Sequence, residues 1–197
     1  SVVLFADISG VDPMHEIAAE HAPYTLGSPP AIWAKGATPV FHIGSYPGPI
    51  SAADTAVEVA AAIDAWSRVS CSGFRAASDL ALAVQPKGVF PDDNVNTVFW
   101  HPVQWPPQLE PKTAAQTVVT LAEDGSIEDV DIHLNAVDFQ WSLDGKNGTV
   151  DLRSVLTHEL GHALGLGHSP VLGATMAAGY PGGTSWRSLE ADDKEGV

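Results

Sequence analysis

The chain has 197 residues, of which 45% are hydrophobic and 17% are charged, and is therefore long enough for one globular domain with a full core. Its formal net charge of -15 argues against a nucleic-acid-binding protein, because such proteins present a basic surface. No apolar run approaches the roughly 20 residues that a membrane-spanning helix needs. The single cysteine, Cys71, excludes a disulfide within the chain. We expect a soluble monomer.

Residues 1–30 are predicted to form an N-terminal extension or the remnant of a pro-segment. They contain a short apolar run, a helix predicted near "DPMHEIAAEH" and a linker at "GSPP". His15 and His21 are six residues apart and would face different sides of that helix, which argues against a shared metal ion. One hypothesis is that Asp7 or Asp12 covers a metal site elsewhere in the chain. The alternative is an extension that packs on the domain surface.

A strand and a long helix are predicted next. The run "IWAKGATPVFHIG" (residues 32–44) is typical of a strand, and "SAADTAVEVAAAIDAWSRV" (residues 51–69) has apolar residues at helical spacing. Ser51, followed three residues later by Asp54, matches the capping signature at a helix start. We therefore expect an amphipathic helix that begins at Ser51.

The middle of the chain is rich in β-branched and aromatic residues. Four runs predict strands, namely "DLALAVQ", "NTVFWHPV", "AAQTVVTLA" and "IEDVDIHLNA". The last two are joined by "EDGS", which predicts a hairpin turn. After the loop "SLDGKNGT" comes a second helix, whose apolar stripe comprises Leu152, Val155, Leu156, Leu160, Ala163 and Leu164. It is predicted to end near Gly165, and "SLEADDKEGV" predicts the start of a last helix.

The stretch "THELGHALGLGHSP" combines this helix with possible metal ligands. His158 and His162 lie one turn apart, with Cβ atoms about 5–6 Å from each other, so both can bind one zinc ion. Gly165 lets the chain turn, and His168 can then approach the same ion. Three imidazoles leave a fourth position for water, which is typical of a catalytic zinc site. Glu159 projects near the metal without being needed as a ligand.

The predicted chemistry is hydrolysis of an amide bond. Zinc lowers the pKa of a bound water to about 7, and Glu159 can take the proton as the water attacks a carbonyl carbon. The same carboxyl group can pass the proton to the leaving amine. The alternative is a helix whose histidines only pack, since HExxH alone occurs by chance. The third histidine and the glycine at fixed spacing argue against that interpretation.

These residues resemble a known family. The string "HELGHALGLGH" matches the HExxHxxGxxH motif of the metzincin zinc endopeptidases. Met176, in "GATMAAGY", resembles their Met-turn, which lies beneath the metal. Ser169, directly after the third histidine, and the spacing of eight residues from His168 to Met176 are most similar to the matrixins, the matrix-metalloproteinase group. The resemblance covers residues 31–197, which we predict to be the catalytic domain.

The resemblance implies an α+β fold of the metzincin type. Its sheet is twisted, five-stranded and mostly parallel, with one antiparallel edge strand, and it is accompanied by a long first helix, a catalytic helix and a C-terminal helix. Peptide substrate would add to the edge strand, which we expect to be "AAQTVVTLA". The resemblance also implies that Asp193 bonds to the Met-turn region and that Asp192 can receive an N-terminal ammonium group.

The residues after the Met-turn depart from the family pattern. Astacin- and serralysin-like metzincins carry a tyrosine two residues after the methionine, where this chain has Ala178. Matrixins usually have proline there, in the wall of the S1′ specificity pocket, so Ala178 departs from them too. Tyr180 does match a residue of the S1′ wall, and we expect an apolar preference in this pocket.

Other matrixin features have no counterpart. The loop that carries their structural zinc and much of their calcium is missing, and so is the Cys-switch motif of their zymogens. His133 lies where one structural-zinc ligand would be, but without the partner ligands we interpret it as a strand histidine. Aspartates of "PDDNVN" and "SLDGKNG" could bind Ca²⁺, although solvated turns are the simpler interpretation.

Together these features predict a secreted zinc-dependent endopeptidase. His158, His162 and His168 are the predicted zinc ligands, Glu159 is the predicted general base, and Met176 supports the site from below without binding. One alternative is a catalytically silent zinc-binding or adhesion module, which would have no need of Glu159. Another is an amidase that acts on cell-wall peptides.

Overall fold

The structure is a computed structural model that describes residues 2–5, 31–44, 48–70, 72–84, 88–89 and 93–197. The predictions made for Asp7, Asp12, His15, His21 and Cys71 lie outside these residues, as does the helix predicted near "DPMHEIAAEH". Within the described ranges, every helix is too short or too polar to cross a bilayer.

The secondary structure consists of nine strands and three α-helices in the described residues. The strands are β1 (Val2–Phe5), β2 (Ile32–Trp33), β3 (Val40–Gly44), β4 (Ala77–Val84), β5 (Thr97–His101), β6 (Ala115–Leu121), β7 (Ser126–Asn135), β8 (Trp141–Ser142) and β9 (Val150–Asp151). The helices are α1 (Ala52–Ser67), α2 (Leu152–Ala163) and α3 (Ala191–Glu195), and a 3₁₀ turn spans Ser185–Arg187.

The main sheet confirms the α+β architecture. Its strand order is β1-β6-β7-β5-β3-β4, and β2 pairs with one end of β7. The five predicted strands are β3 to β7, and the pairings from β4 through β3 and β5 to β7 are all parallel. β6 returns antiparallel to β7 through a tight turn at Gly125, as the hairpin signature predicts.

The prediction that "AAQTVVTLA" forms the edge of the sheet is wrong. Its strand β6 has β7 on one side and β1 on the other, with β1 antiparallel and Val2 opposite Thr120. An open strand edge presents unpaired N–H and C=O groups, and the extended Val2–Phe5 segment satisfies them on β6. The resemblance begins only at residue 31 and therefore gave no partner for this edge.

The single strand predicted over residues 32–44 is divided in two. The Ala37 N–H donates to the Ala34 carbonyl at 2.9 Å, which closes a turn in which Gly36 has a φ of 81°. Because a positive φ strains residues other than glycine, the strand run is broken at this position. β2 thus pairs with β7, while β3 enters the sheet between β4 and β5.

Polar side chains fix the starts of the two long helices. Ser51 caps α1, its Oγ accepting from the Asp54 N–H at 3.1 Å, which confirms the predicted start. Asp151 caps α2 in the same way and accepts from the Ser154 N–H at 2.9 Å. Asp151 is buried, and its charge is paired with the guanidinium of Arg187, whose Nε lies 2.9 Å from Asp151 Oδ2.

Helices α1 and α2 pack against each other and against the sheet. The indole N–H of Trp66 in α1 donates to the Thr157 carbonyl in α2 at 2.7 Å. One turn earlier in α2, Arg153 forms a two-point ion pair with the buried carboxylate of Glu58 in α1. These contacts fix α2 on its polar side as well as on its apolar stripe, so the histidine-bearing helix is held in one orientation.

Candidate metal centre

The end of α2 brings the third histidine back towards the first two. Gly165 has a φ of 89°, its N–H donates to the His162 carbonyl, and the Leu166 N–H donates to the Gly161 carbonyl. This pair of bonds is a Schellman motif, in which glycine is favoured at the left-handed position. A Cβ at Gly165 would also lie 1.9 Å from the Ala31 carbonyl oxygen. The helix therefore ends where the sequence predicts.

The structure brings the three predicted ligands together. One ligand atom from each of His158, His162 and His168 lies within 4.8 Å of the others. His158 Nε2 and His162 Nε2 are 3.1 Å apart, close to the roughly 3.3 Å expected for two nitrogens that bind one tetrahedral zinc ion. His158 and His162 are buried, whereas His168 is half-buried on the turn. The donor set fits zinc.

The second ring nitrogen of each helical histidine is anchored to the backbone. His158 Nδ1 lies 2.6 Å from the Thr175 carbonyl oxygen, and His162 Nδ1 lies 2.6 Å from the Leu166 carbonyl oxygen. A carbonyl can only accept, so each Nδ1 carries the proton and each Nε2 keeps its lone pair. This arrangement fixes the tautomer and orientation that metal-binding histidines need.

Glu159 lies between the two helical histidines in sequence and is fully buried. Its Oε2 accepts a hydrogen bond from the hydroxyl of Thr117 in β6 at 2.6 Å. The same hydroxyl lies 3.2 Å from the Glu159 backbone carbonyl. A buried carboxylate is costly unless it is hydrogen-bonded, and Thr117 supplies such a bond from the neighbouring strand.

Met176 lies in a turn packed against α2. Its side chain is buried, and a Cβ on Gly161 would lie 2.2 Å from Met176 Sδ, so the sulfur occupies the space that glycine leaves open. The buried carboxylate of Asp193 in α3 accepts from the backbone N–H groups of Thr175 and Met176, both at 2.9 Å. The contact implied for Asp193 by the resemblance is therefore present.

Asp192 and Ser169 join α3 to the segment after the third histidine. The Ser169 hydroxyl donates to Asp192 Oδ2 at 2.5 Å, and the Ser169 N–H donates to the Met176 carbonyl at 2.7 Å. The N-terminal ammonium contact suggested for Asp192 is not tested by the described residues and stays a prediction. The Ser169 bonds hold the two ends of the Met176 turn together.

Two aromatic residues pack beside the histidines. The fully buried indole of Trp186 stacks on the His158 ring, with ring centroids 4.8 Å apart and an interplanar angle of 13°. Tyr180 meets Trp186 edge-on, and its hydroxyl accepts from the Asp151 N–H at 3.0 Å and donates to the Gly183 carbonyl. Burial raises the pKa of Tyr180, which therefore acts here as a neutral hydrogen-bonding group.

His133 lies on β7, away from the three-histidine cluster, and pairs with His101. His101 Nε2 is 2.9 Å from His133 Nδ1, and the two rings stack with centroids 5.1 Å apart. Burial lowers the pKa of His101 to about 4 and that of His133 to about 3. Both imidazoles are therefore neutral at physiological pH, and the interpretation of His133 as a strand histidine agrees with this packing.

The loops suggested for Ca²⁺ form hydrogen-bonded turns where they are described. Asp144 accepts from the Lys146 N–H and lies 3.0 Å from Lys146 Nζ, while Asp93 accepts from the Val95 N–H. In the part of the chain that the structure covers, the three histidines are the one group of three or more His, Cys, Asp or Glu side chains close enough for a metal ion.

Sequence reasoning missed Thr117 and Trp186. Thr117 belongs to a run that predicts a strand, and strand patterning does not tell which of its hydroxyls meets α2. Trp186 lies in a glycine-rich stretch with no periodic pattern. A buried tryptophan in such a stretch could have been suspected from its hydrophobicity alone, but its contact with His158 could not.

Comparison with known proteins finds similarity to one family over part of the chain. The family model described as Matrixin matches residues 108–197, which include β6, α2 and the Met176 turn. The chain is 52% identical over 48 residues to Metalloendoproteinase 5-MMP of Arabidopsis thaliana, which covers 24% of this chain and 13% of that protein. It is 40% identical over 83 residues to Metalloendoproteinase 1-MMP of the same plant, which covers 40% of this chain and 22% of that protein.

An animal protein gives a similar match. Matrilysin of Rattus norvegicus is 43% identical over 68 residues, which covers 34% of this chain and 25% of that protein. The matched stretches thus span a quarter or less of the lengths of these three relatives. The likeness therefore concerns a part of each relative and not its whole length.

Proposed function

We propose that this chain, which carries a matrixin-like metzincin domain over residues 108–197, is a secreted zinc metalloendopeptidase that hydrolyses peptide bonds of extended protein substrates. In this proposal residues 31–197 are the catalytic domain. His158, His162 and His168 hold one zinc ion, and Glu159 is the general base.

The observation that carries the proposal is a buried carboxylate beside a three-imidazole cluster. A structural zinc site does not need a carboxylate besides its ligands, and burying a carboxylate lowers the stability of the fold unless hydrogen bonds compensate for it. Glu159 is fully buried, and its Oε2 accepts a hydrogen bond from the Thr117 hydroxyl. This arrangement supports a proton-transfer role and argues against a silent zinc-binding module.

Each residue of the site has a defined part in the proposed reaction. Bound zinc would supply Lewis acidity, which polarises the scissile carbonyl and lowers the pKa of a coordinated water to about 7. The carboxylate of Glu159 accepts a proton from the attacking water and returns it to the leaving nitrogen. Thr117 donates to Oε2 and so holds the carboxyl plane in place through both transfers.

Substrate would lie beside β6. Thr117 connects this strand directly to Glu159. β1 is paired with the outer edge of β6 in the structure, so a peptide backbone would pass next to the general base where it takes the place of β1. Backbone pairing of this kind accepts many sequences, while side-chain pockets set the preference. Tyr180 is the proposed wall of the S1′ pocket, and its position beside Trp186 supports an apolar preference there.

The decisive experiment measures zinc content and peptide cleavage on the same preparation. We expect one zinc ion per chain by elemental analysis and internal cleavage of a peptide library by mass spectrometry. Glu159→Ala should keep the zinc and lose cleavage by several orders of magnitude. Glu128→Ala, at an exposed position of β7, is the control and should cleave like the unmodified chain.

Two outcomes would reject the proposal. Stoichiometric zinc with no cleavage of any library peptide would indicate the binding module. Cleavage that Glu159→Ala leaves unchanged would remove the general base from the mechanism.

A further inference from the structure

A single indole ring lies between the first histidine of the cluster and Tyr180. Trp186 has no exposed surface, and its ring stacks on that of His158 with centroids 4.8 Å apart. The ring of Tyr180 meets the same indole at a centroid distance of 5.4 Å, with the planes at 65°. Such spacings are typical of aromatic rings in direct contact. The space between the histidine and the tyrosine is therefore filled by a side chain of the protein itself.

The substrate residue directly after the scissile bond, P1′, needs this space in the proposed reaction. Glu159 returns the proton to the leaving nitrogen, which belongs to P1′. The Cα atom of P1′ is bonded to that nitrogen, so its side chain starts beside Glu159 and beside His158, the preceding residue of α2. Tyr180 is the proposed wall of the same pocket. A P1′ side chain that extends between His158 and Tyr180 therefore meets the indole of Trp186.

The segment that carries Trp186 is fixed on both sides of the indole. Before it, the Tyr180 hydroxyl donates to the Gly183 carbonyl. After it, the Arg187 guanidinium pairs with the fully buried carboxylate of Asp151, with Nε 2.9 Å from Oδ2. Breaking such a pair leaves an uncompensated buried charge, which strongly destabilises the fold. The indole is therefore a fixed part of the pocket and not a gate that swings aside for substrate.

The position of the indole is determined by packing. Its Nε1–H is buried and has no hydrogen-bond partner among the residues that the structure describes. A buried donor without a partner destabilises the fold, so the contacts of the ring with its neighbours must compensate for it. The size of the ring, and not its polar group, therefore limits what else the space can hold.

We infer, on the basis of the proposed peptidase function, that Trp186 limits the S1′ pocket and that the enzyme cleaves before small residues such as glycine, alanine and serine. Leucine, phenylalanine and other long side chains are excluded, because the indole already occupies the volume that they need. A close-packed interior does not accept a further side chain without displacing another. Trp186 touches none of the reacting atoms and is a specificity-determining residue, not a catalytic one.

The size of the preference follows from the fit of the P1′ side chain. A difference of one methylene in an apolar pocket changes kcat/KM about 10-fold to 200-fold. Leucine exceeds alanine by a whole isopropyl group, so kcat/KM of the unmodified chain should be at least about 100-fold higher for alanine than for leucine at P1′. Trp186→Ala empties the space, and the ratio of leucine to alanine in kcat/KM should then rise at least about 10-fold.

The test measures kcat/KM of the full chain on two peptides that differ only at P1′, where one has alanine and the other leucine. The leucine-to-alanine ratio should increase from the unmodified chain to Trp186→Phe and further to Trp186→Ala. Trp186→Phe keeps a ring against His158 and carries the test if Trp186→Ala does not fold. The control is Trp105→Ala, which removes a half-buried indole that packs on His101, and it should leave the ratio unchanged.

Filling the emptied space with a free ligand supplies a readout that does not depend on catalysis. Small aromatic molecules enter apolar cavities that are left when a buried side chain is removed. Indole added to the solution should therefore raise the melting temperature of Trp186→Ala and not that of the unmodified chain. It should also lower the leucine-to-alanine ratio of this variant towards that of the unmodified chain. Zinc content by elemental analysis checks that His158 keeps its place.

The outcomes separate this inference from the proposed function. A preference of the unmodified chain for leucine over alanine at P1′ would overturn the inference and leave the peptidase standing. Equal losses on both peptides in Trp186→Ala, with an unchanged ratio, would also overturn it, because Trp186 would then be a structural residue only.

Binding of the two peptides to Glu159→Ala, with and without Trp186→Ala, is measured by calorimetry as well. Tighter binding of the leucine peptide than of the alanine peptide only where the indole is absent, with no cleavage by any variant, would support the role of Trp186 and reject the peptidase. Equal binding of the two peptides in both backgrounds would overturn the inference.

Discussion

Replacing Thr117 by valine removes one hydroxyl beside the proposed general base and little else. Threonine and valine have nearly the same shape, and valine is well suited to a strand. The change deletes the 2.6 Å hydrogen bond to Glu159 Oε2 and leaves the backbone of β6 intact. The buried carboxylate is then free to rotate away from the position in which it receives the water proton.

The expected loss can be estimated from the kind of bond. A hydrogen bond to a charged group contributes about 1.5–3 kcal/mol, which corresponds to a fall of about 10-fold to 150-fold in rate if the bond is needed in the transition state. We expect this fall in kcat, with KM changed less than about 3-fold, because Thr117 positions a catalytic group and not the substrate. Zinc content should stay at one ion per chain.

Peptide cleavage kinetics on Thr117→Val, Thr117→Ser and Thr120→Val test this reasoning. Serine restores the hydroxyl and should recover most of kcat. Thr120 lies on the same strand and is also buried, so its valine variant controls for general damage to β6. A Thr117→Val enzyme with unchanged kcat, or a Thr120→Val enzyme that loses as much, would refute the positioning role.

Three further predictions concern stability. Gly161→Ala should lower the free energy of unfolding, measured in urea, by about 1–3 kcal/mol, because its Cβ would lie 2.2 Å from Met176 Sδ. Gly73→Ala is the control: its Cβ would have no atom within 4 Å, and the free energy of unfolding should not fall. Burial and nearby Asp129 raise the pKa of Asp131 to about 8, so the free energy of unfolding should fall as the pH rises from about 4 to 8. Asp131→Asn should therefore raise the urea midpoint of unfolding more at pH 8 than at pH 5. Equal shifts at the two pH values would contradict this. Chelation of zinc should lower the melting temperature by about 10 °C, reversibly on zinc addition.

The local parts of the fold could be predicted from the sequence because they depend on neighbours in the chain. The caps at Ser51 and Gly165, the hairpin at Gly125 and the apolar stripe of α2 each follow from residues within one or two turns. The three proposed zinc ligands are also local, since they lie within eleven residues of one another. Helical periodicity and one glycine turn bring them together.

The parts that could not be predicted depend on contacts between distant segments. Thr117 and Glu159 are 42 residues apart, and alternation along β6 tells which residues share a face but not which one meets α2. Pairing of β1 with β6 joins residues more than a hundred positions apart, and four apolar residues carry no signal for their partner strand. The prediction of the sheet edge is therefore wrong, although β7, the other neighbour of β6, is predicted correctly.

The short helix α3 shows why the histidine motif alone does not define the site. The carboxylate of Asp193 accepts three backbone N–H groups, from Thr175, Met176 and Glu190, so a charge that is almost completely buried is compensated by hydrogen bonds. Thr175, fixed in this way, presents its carbonyl to His158 Nδ1 at 2.6 Å. The orientation of the first proposed zinc ligand therefore depends on a residue 35 positions later, through one backbone segment and two hydrogen bonds. Since a metal ligand is effective only when its ring orientation is held by such outer contacts, the functional unit extends from β6 to α3 and not merely over the eleven residues of the motif.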